Sequence, residues 1–434
     1  MELKKLVEWN PWWEDIASLE KLKGIERESY KEIVKSIAIK EITVILGVRR
    51  SGKSTLMYQM IHHLLKKGIN AKQILFINLE DIALAKDTLD EIYLCYRENL
   101  NQEHKAYIFL DEIQRKEHWE SWLRKKYDLK TDDKFVISGS CSYLLRKEYA
   151  TLLTGRNLTF EIYPLSFKEF LIFKDVYIEQ ENIKKEIITE KTRTTIINML
   201  KEYIEQGGFP EIVLKEEQYK SKILKQYFDD ILYKDIIGRY NLNSQRTKEF
   251  AVFLITNITK FISLRNIRNA LSFSYDTTKE YLSYYKEAYL FFTTDYFSYS
   301  LKEQKIMASK IYTIDSGLRN AVSFRFSQDD GKLVENIVFI ELLRKEMHPY
   351  YWKGKNEVDF VIKENDQMIT AINVTYSDEI EEREVKALQE FKNNFKKVKK
   401  AIIITKNLEK QQDDIYFIPL WKWLLIGKDE IIPK

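Results

Sequence analysis

The stretch Gly47-Val48-Arg49-Arg50-Ser51-Gly52-Lys53-Ser54 decides the fold of this chain. The apolar run at residues 41–46 predicts a strand before it, and the apolar periodicity from Thr55 onward predicts a helix after it. Backbone N–H groups of such a glycine-hinged loop, together with the positive end of the helix dipole, form a concave anion site. We expect Lys53 to reach the β- and γ-phosphates of a nucleotide and the Ser54 hydroxyl to bind Mg²⁺. The sequence therefore predicts a nucleoside triphosphate site, with ATP and Mg²⁺ as its ligands.

The predicted nucleotide-binding residues all lie in this loop or in the first turn of the helix. They are Gly47, Arg49, Arg50, Ser51, Gly52, Lys53, Ser54 and Thr55. Most residues between the glycines of such loops are spacers. Arg49 and Arg50 therefore either contact phosphates or only complete the loop.

A second strand is predicted at residues 105–112, and it ends in two carboxylates, Asp111 and Glu112. Phosphoryl transfer needs Mg²⁺ beside the phosphates and a water molecule aligned for in-line attack. We expect Asp111 to hold the metal ion with Ser54, and Glu112 to orient or deprotonate the water. Paired with the upstream loop, this strand predicts the hydrolytic part of the site.

Further polar groups follow the strands predicted at residues 73–78 and 134–137. The first strand leads to Glu80 and Asp81, and the second leads to Ser138 and Ser140. One serine can sense the γ-phosphate or hold the attacking water; Ser140 is the candidate and Ser138 its competitor. Because ligands of parallel sheets bind at the carboxyl ends of the strands, these groups are expected to converge there.

Arg156 precedes another predicted strand at residues 158–162. An arginine can stabilise the charge of the transition state, in cis or from a neighbouring subunit. The alternative is an ordinary surface arginine in a salt bridge. Arg156 is therefore a candidate catalytic residue, which would act either on the nucleotide of its own chain or on that of a neighbouring subunit.

The composition describes an ordered globular protein that is too long for a single core. The chain has 434 residues, is 44% hydrophobic and contains only 13 Gly and 6 Pro, so several domains with short linkers are expected. A net charge of +4 gives no argument for nucleic acid by itself. The two cysteines, Cys95 and Cys141, suit a reducing compartment. No signal peptide or membrane-spanning run is found, so we expect a cytoplasmic location and no membrane partner.

A series of short motifs runs through nearly the whole chain. In chain order they are Asn10-Pro11-Trp12-Trp13, the loop at 47–54, Phe109-Leu110-Asp111-Glu112-Ile113-Gln114, Ile137-Ser138-Gly139-Ser140, Leu153-Thr154-Gly155-Arg156, Tyr163-Pro164-Leu165-Ser166-Phe167-Lys168-Glu169-Phe170 and Gly207-Gly208-Phe209-Pro210-Glu211. The series resembles the archaeal and bacterial ATPases of the AAA+/STAND-related group, which carry an ATPase core and a nuclease-like C-terminal domain. The resemblance implies that Lys53, Ser54, Asp111 and Glu112 bind and hydrolyse the nucleotide, in agreement with the residue-level interpretation.

Helical periodicity dominates residues 192–240. One apolar stripe includes Ile196, Leu200 and Ile204, a second runs through residues 223–237, and Gly207-Gly208-Phe209-Pro210 separates them. We interpret the stripes as core. These helices resemble the lid that packs over the nucleotide in AAA+ and STAND proteins.

Residues 247–300 predict a winged helix with helices at 250–255, 263–271 and 275–288 and wing strands at 290–293 and 296–299. The third helix is expected to expose Thr277, Thr278, Lys279 and Lys286, which could contact DNA. It also carries Asp276, Glu280 and Glu287, a poor surface for phosphates. DNA binding and packing against protein therefore both stay open.

A helix from residue 332, followed by strands at 350–353, 357–362 and 368–375, resembles a PD-(D/E)xK nuclease core. Such a core binds Mg²⁺ with an Asp and a following Glu, and places a Lys two residues later near the attacking water. Glu335 and Asp359 match the helical acid and the first strand acid, but Asn373 and Thr375 occupy the Glu and Lys positions. Asn is a weak ligand for a hard dication and Thr carries no ammonium, so this site is expected to be degenerate and the domain non-catalytic.

The predicted fold is α/β: a P-loop NTPase with a parallel sheet, a helical lid, a winged helix and a C-terminal restriction-endonuclease-like domain. The predicted bounds are an N-terminal segment at 1–24, the P-loop core at 25–175, the lid at 176–243, the winged helix-turn-helix at 244–305 and the degenerate nuclease-like domain at 306–434. Two functions compete: an ATP-driven switch acting on nucleic acid or a DNA-bound partner, and a signalling or scaffold ATPase with a protein partner or as a homo-oligomer. An active ATP-dependent nuclease is disfavoured by Asn373 and Thr375.

Overall fold

The computed structural model describes residues 1–142, 155–185, 187–262, 264–323, 330–364 and 366–426. The chain divides into two compact units, one formed by residues 1–162 with 287–289 and the other by the rest of the chain. The predicted motif residues Leu153 and Thr154, and Ser263 at the start of a predicted helix, lie outside the described residues.

The first unit is built on a five-stranded parallel sheet with the order β2-β3-β4-β1-β5. Its strands are β1 Ile42–Leu46, β2 Ile74–Asn78, β3 Tyr107–Asp111, β4 Lys134–Gly139 and β5 Asn157–Glu161. The central strand β1 is buried along its whole length, as expected for a parallel strand covered on both faces. The predicted parallel α/β core is confirmed.

Helices of the first unit surround this sheet. They are α1 Lys4–Val7, α2 Leu19–Leu22, α3 Tyr30–Ile33, α4 Lys53–Lys66, α5 Leu89–Asn99 and α6 Trp119–Asp128, with short 3₁₀ turns at Pro11–Trp13, Ile16–Ser18, Val34–Ala38, Ala71–Gln73, Ile82–Leu84 and Ile113–Arg115. The apolar stripe of α4, which includes Leu56, Met60 and Leu64, packs in one core cluster with Ile45 of β1. This packing fixes the N-terminus of α4 at the carboxyl end of β1.

Asn10 caps the backbone of the edge strand β2. Its Nδ2 donates to the Phe76 carbonyl at 2.8 Å, and its Oδ1 accepts from the Phe76 N–H at 2.7 Å. Trp13 Nε1 donates to the Ile74 carbonyl at 2.8 Å. The Asn-Pro-Trp-Trp motif therefore satisfies edge-strand groups that would otherwise bond only to water.

The second unit begins with helices in the region predicted as a lid. They are α7 Phe167–Phe173, α8 Gln180–Lys184, α9 Glu190–Gln206, α10 Pro210–Val213 and α11 Glu217–Asp230, followed by a π-helical segment Ile231–Ile237 and α12 Gly238–Tyr240. The division of the chain falls between residues 162 and 163, so α7 groups with this unit, whereas the sequence placed it in the P-loop core. The predicted apolar stripes are buried: Ile196, Leu200 and Leu224 are at most 3% exposed.

The Gly207-Gly208 turn closes onto Asp315. Gly207 has φ +76°, and a Cβ at this position would lie 2.0 Å from a carboxylate oxygen of Asp315. The Gly208 N–H donates to Asp315 Oδ2 at 2.7 Å. Burial raises the pKa of Asp315 to about 6, even though the N–H groups of Gly208, Leu318 and Gly317 favour the charged form. Gly207 is needed because a Cβ would overlap the Asp315 carboxylate, and Gly208 because a Cβ there would lie 2.5 Å from the Leu165 carbonyl oxygen.

Three helices and a two-stranded ribbon follow: α13 Ser244–Thr256, α14 Leu264–Leu271, α15 Tyr275–Glu287, β6 Phe291–Thr294 and β7 Lys310–Thr313, with α16 Leu301–Ile306 between the two strands. The ribbon differs from the predicted wing, because β6 pairs antiparallel with β7 and not with residues 296–299. The reason is packing: Phe297 is buried in a core cluster with Trp352 and Phe391, and its N–H donates to the Tyr351 carbonyl at 2.7 Å. Thr278, predicted to be exposed, is only 1% exposed.

The chain ends in a six-stranded mixed sheet with the order β12-β13-β11-β10-β9-β8. Its strands are β8 Tyr350–Lys353, β9 Glu357–Lys363, β10 Ile369–Val374, β11 Val398–Thr405, β12 Lys410–Gln412 and β13 Ile415–Pro419, with helices α17 Ser316–Val322, α18 Asp330–Arg344, α19 Glu382–Asn394 and α20 Leu420–Leu425. The predicted helix and three strands are all present, and the sheet extends further along the chain. This C-terminal sheet domain places Glu335 on α18, Asp359 on β9 and Asn373 on β10.

Two further features concern the whole of the described chain. Within the ranges given above, no helix is both long and apolar enough to cross a bilayer. Cys95 is half-buried and Cys141 is buried, and the two are not joined in a disulfide.

Candidate functional site

The loop after β1 requires glycine at its first position. Gly47 has φ +151°, and a Cβ there would lie 2.0 Å from the Ile162 carbonyl oxygen. Gly52, at the N-cap of α4, has φ +98°, a conformation that side chains disfavour. The loop can therefore turn tightly from β1 into α4 only with glycines at these two places.

Lys53 lies inside the concave face of the loop and is 4% exposed. Its Nζ donates to the carbonyls of Gly47 at 3.0 Å and Val48 at 3.2 Å, and lies 3.7 Å from Glu112 Oε1. The Ser51 hydroxyl oxygen is buried and forms no hydrogen bond within the part of the chain that the structure describes. An ammonium group, an unused hydroxyl and the N-terminus of a 14-residue helix fit the anionic phosphates of a nucleotide.

Asp111, the last residue of β3, bonds to serines from two other elements. Ser54 Oγ donates to its Oδ2 at 2.6 Å, and the Ser138 hydroxyl donates to its Oδ1. Burial and the neighbouring Glu112 charge raise the pKa of Asp111. Ser54 and Asp111 supply the hard oxygen ligands that Mg²⁺ takes in phosphate sites, where phosphates and waters complete the shell.

Glu112 has the left-handed φ of +55°, which turns the chain at the end of β3. Its Oε2 accepts from Gln114 Nε2 at 2.5 Å, and Gln114 Nε2 also donates to Ser140 Oγ at 3.1 Å. Burial opposes the charge on Glu112, but Lys53 and Arg49 outweigh it and lower the pKa of this carboxyl. Glu112 is therefore ionised at neutral pH and able to accept a proton.

The structure distinguishes the two serines that the sequence left in competition. Ser138 contacts Asp111 directly and accepts from the Glu112 N–H at 3.1 Å. Ser140 lies one step further from the acids, on Gln114. Ser138 and Gln114 thus belong to the site although the sequence did not favour them. Side-chain alternation could not separate Ser138 from Ser140, because residues two apart along a strand lie on the same face.

The two loop arginines lie in different surroundings. Arg49 forms a bidentate pair with Glu80, at 3.0 Å and 2.8 Å, and Arg115 Nη2 reaches the same carboxylate at 2.5 Å. Burial raises the pKa of Glu80, but the two arginines outweigh it and hold the pKa at about 2. Arg50 is exposed, and Thr55 is half-buried in the first turn of α4. Arg49 is therefore oriented by Glu80, which the sequence predicted only as one of the polar groups at this edge of the sheet.

A buried arginine that the sequence analysis missed supports the loop. Arg27 is 5% exposed, and its Nη1 donates to the Ser51 carbonyl at 2.8 Å. Arg27 lies far from the loop in sequence, and no local pattern marks it.

Arg156 is not brought to this site. The Ile42 N–H donates to the Arg156 carbonyl at 2.8 Å, so Arg156 lies beside the first residue of β1, while the loop follows the last. A five-residue strand spans about 13 Å between those points. The guanidinium instead pairs with Asp128 at 2.9 Å. To act on the nucleotide of its own chain, the Arg156 guanidinium would have to lie at the opposite end of the sheet, where the loop is.

Replacing Arg156 by Ala is therefore expected to keep ATP turnover at low protein concentration within about twofold of wild type, the scale of a surface ion pair. Phosphate release measured over a range of protein concentrations tests this. Arg124→Ala is the matched control, since Arg124 also pairs with Asp128, at 3.5 Å. A loss of turnover confined to Arg156→Ala, with wild-type activity rising more than linearly with concentration, would place Arg156 at the nucleotide of a second copy.

The predicted nuclease-like residues do converge in the C-terminal sheet domain. Asn373 Oδ1 accepts from the Asp359 N–H at 3.2 Å, and the Val374 N–H donates to Asp359 Oδ2 at 2.9 Å. Glu335 faces the same cluster from α18 through its ion pair with Lys310, whereas Thr375 is half-buried just after β10. Across the described ranges, no group of three or more His, Cys, Asp or Glu is arranged to hold a metal ion.

Comparison with known families and proteins agrees with this geometry. The chain matches the family described as AAA domain over residues 39–171, and two domains of unknown function, DUF8612 over 197–329 and DUF4143 over 330–423. An uncharacterized protein of Methanocaldococcus jannaschii is 36% identical over 420 residues, which cover 91% of each chain. An uncharacterized protein of Haemophilus influenzae is 32% identical over 413 residues, covering 92% of this chain and 98% of its own.

The solved structures that are similar to parts of the chain include the following two. A STAND ATPase with a tetratricopeptide repeat sensor from Pyrococcus horikoshii has 13% identity and a TM-score of 0.27, and the match covers 74% of this chain and 45% of that one. AMPPCP-bound DnaA from Aquifex aeolicus has 16% identity and a TM-score of 0.27, covering 60% of this chain and 86% of that one. The chain belongs to the same family as the Methanocaldococcus jannaschii and Haemophilus influenzae proteins, a family of P-loop ATPases with an AAA domain.

Proposed function

We propose that this protein is a cytoplasmic, Mg²⁺-dependent ATPase whose hydrolytic cycle works as a switch on nucleic acid or on a DNA-bound partner. The observation that carries the ATPase proposal is the convergence of Lys53, Ser54, Asp111 and Glu112 at the carboxyl edge of one parallel sheet. Their chemistry matches the needs of phosphoryl transfer: positive charge, metal ligands and a base.

Each of these residues has a distinct role in the proposal. Lys53 binds the β- and γ-phosphates, and Ser54 and Asp111 hold Mg²⁺, which supplies charge neutralisation when bound. Glu112 accepts a proton from the attacking water, and its lowered pKa keeps it ready to do so. Gln114 orients Glu112 through the 2.5 Å hydrogen bond.

The DNA part of the proposal is supported by the order of α13, α14, α15 and the β6–β7 ribbon, which is typical of winged helices. On α15, Lys279 is exposed, and Lys286 Nζ donates to Thr293 Oγ1 at 2.7 Å. Asp276 and Glu280 are exposed on the same helix and favour the second candidate, a signalling or scaffold ATPase with protein partners. The rates of ATP hydrolysis with and without single- and double-stranded DNA, alongside sizing with ATP and ADP, distinguish the two: stimulation by DNA supports the first, and an unchanged rate the second.

If α15 contacts DNA, the double change Lys279→Glu and Lys286→Glu should weaken binding and lower the slope of log K against log salt by about 2, because two phosphate contacts are lost. Fluorescence anisotropy with labelled duplex over a salt series measures this. The control is Lys222→Glu with Lys225→Glu, which makes the same charge change on exposed positions of α11. Equal effects of the two pairs, or no salt-sensitive binding by the wild type, would rule out this surface.

A further inference from the structure

Lys310, the first residue of β7, is surrounded by carboxylates from the C-terminal sheet domain. Its Nζ lies 2.5 Å from Glu357 Oε1, 3.0 Å from Glu335 Oε1 and 3.2 Å from Asp359 Oδ1. The Lys310 side chain is 3% exposed, while those of Glu335, Asp359 and Glu357 are 14%, 16% and 29% exposed. The Lys310 ammonium donates hydrogen bonds to Glu335 and Asp359 and forms an ion pair with Glu357.

Other groups complete the shell around this ammonium. Tyr312 Oη donates to the same Glu335 Oε1 at 2.8 Å. The Phe261 ring centroid lies 5.7 Å from Lys310 Nζ, within reach of a cation–π contact. The Lys310 ammonium therefore contacts carboxylates and an aromatic ring, and these contacts fix its position.

The neighbouring Asn373 is poorly suited to bind a metal ion. It is fully buried, its Oδ1 accepts from the Asp359 N–H at 3.2 Å, and its Nδ2 donates to Glu384 Oε2 at 2.8 Å. A divalent ion prefers anionic oxygens, and Asn373 offers a neutral oxygen that is already bonded. The positive charge within the cluster comes instead from β7.

We propose that the Lys310 ammonium is the resident cation of the Glu335, Glu357 and Asp359 cluster, in the place of the divalent ion that the nuclease resemblance implies. One consequence is that the C-terminal sheet domain needs no divalent metal. A second consequence is that the ion pairs of Lys310 connect the β6–β7 ribbon to α18 and β9. The cluster then forms a structural joint between these elements.

Thermal unfolding of the full chain tests the joint. Lys310→Met leaves three acidic groups without their cation, and we expect Tm to fall by roughly 6–15 °C. Lys353→Met is the matched control: Lys353 lies 3.7 Å from Glu357 Oε2 but is 49% exposed, so a change below about 2 °C is expected. Adding Glu335→Gln to Lys310→Met should recover part of the loss. Equal Tm values for the two lysine variants would overturn the proposal.

Metal binding and cleavage provide a test that does not require Lys310→Met to fold. Nucleotide-free wild type and Asp359→Asn should bind Mn²⁺ equally in isothermal titration, because the cluster contributes no metal site in either. Neither protein should cut linear, junction or single-stranded DNA with Mg²⁺ or Mn²⁺. Mn²⁺ binding, or metal-dependent cleavage, that is present in the wild type and lost in Asp359→Asn would show that a metal ion displaces Lys310.

Discussion

Glu112→Gln is expected to leave ATP binding intact while hydrolysis falls by two to four orders of magnitude, the usual contribution of a positioned general base. The amide keeps the shape of the side chain, but it cannot take a proton from water. The substitution also removes the negative charge that lies 3.7 Å from the Lys53 ammonium. Tight ATP binding by the variant would then come from contacts between the protein and the phosphates. Phosphate release gives the rate, and a fluorescent ATP analogue gives the affinity.

Glu117→Gln is the control for this prediction, since Glu117 is exposed and only five positions away in sequence. It should retain the wild-type rate. Undiminished turnover in Glu112→Gln would transfer the role of base to another acid, and Glu80 or Asp81 would be the next to replace.

Lys53→Ala is expected to weaken ATP binding by roughly 100-fold, because it removes charge-assisted hydrogen bonds worth about 3 kcal/mol. Lys53 is a buried cation whose Nζ donates to the loop carbonyls of Gly47 and Val48. Equilibrium titration with the same analogue measures the loss. Circular dichroism checks the fold, since the variant removes one of the two cations, Lys53 and Arg49, that stabilise the charge on buried Glu112.

Lys66→Ala, at the exposed far end of the same helix, should bind ATP as tightly as the wild type does. If both lysine variants retain wild-type affinity, the phosphates are bound by backbone groups alone, and the assignment of Lys53 fails. A loss in both would indicate a general effect on α4.

The P-loop half could be predicted well because its signals are local. A glycine-hinged loop between a buried strand and an apolar helix, and a strand ending in Asp111 and Glu112, depend only on neighbours in sequence. Ser138 and Arg156 show the limit of such local signals. Which serine meets Asp111 depends on the register between β3 and β4, and the end of the sheet at which Arg156 lies depends on the direction of β5; both are set by long-range strand pairing.

The second unit was harder to predict because its decisive contacts link distant segments. The wing was misplaced because residues 296–299 look like a strand, yet Phe297 gains more by packing with Trp352 and Phe391. Lys310 looked like part of a connecting segment, and its three carboxylate partners lie 25 to 49 positions away in sequence. No periodicity or spacing in one sequence shows such a charge cluster.

The capped strand β2 also restricts how copies of this chain can associate. The unpaired N–H and C=O groups of an edge strand can form hydrogen bonds with a strand from another chain. Here Asn10 occupies both backbone groups of Phe76, and Trp13 occupies the Ile74 carbonyl, so an incoming strand would first have to displace them. Continuous sheets between subunits are therefore disfavoured at this edge, and strand pairing between copies would have to use another edge strand, such as β5.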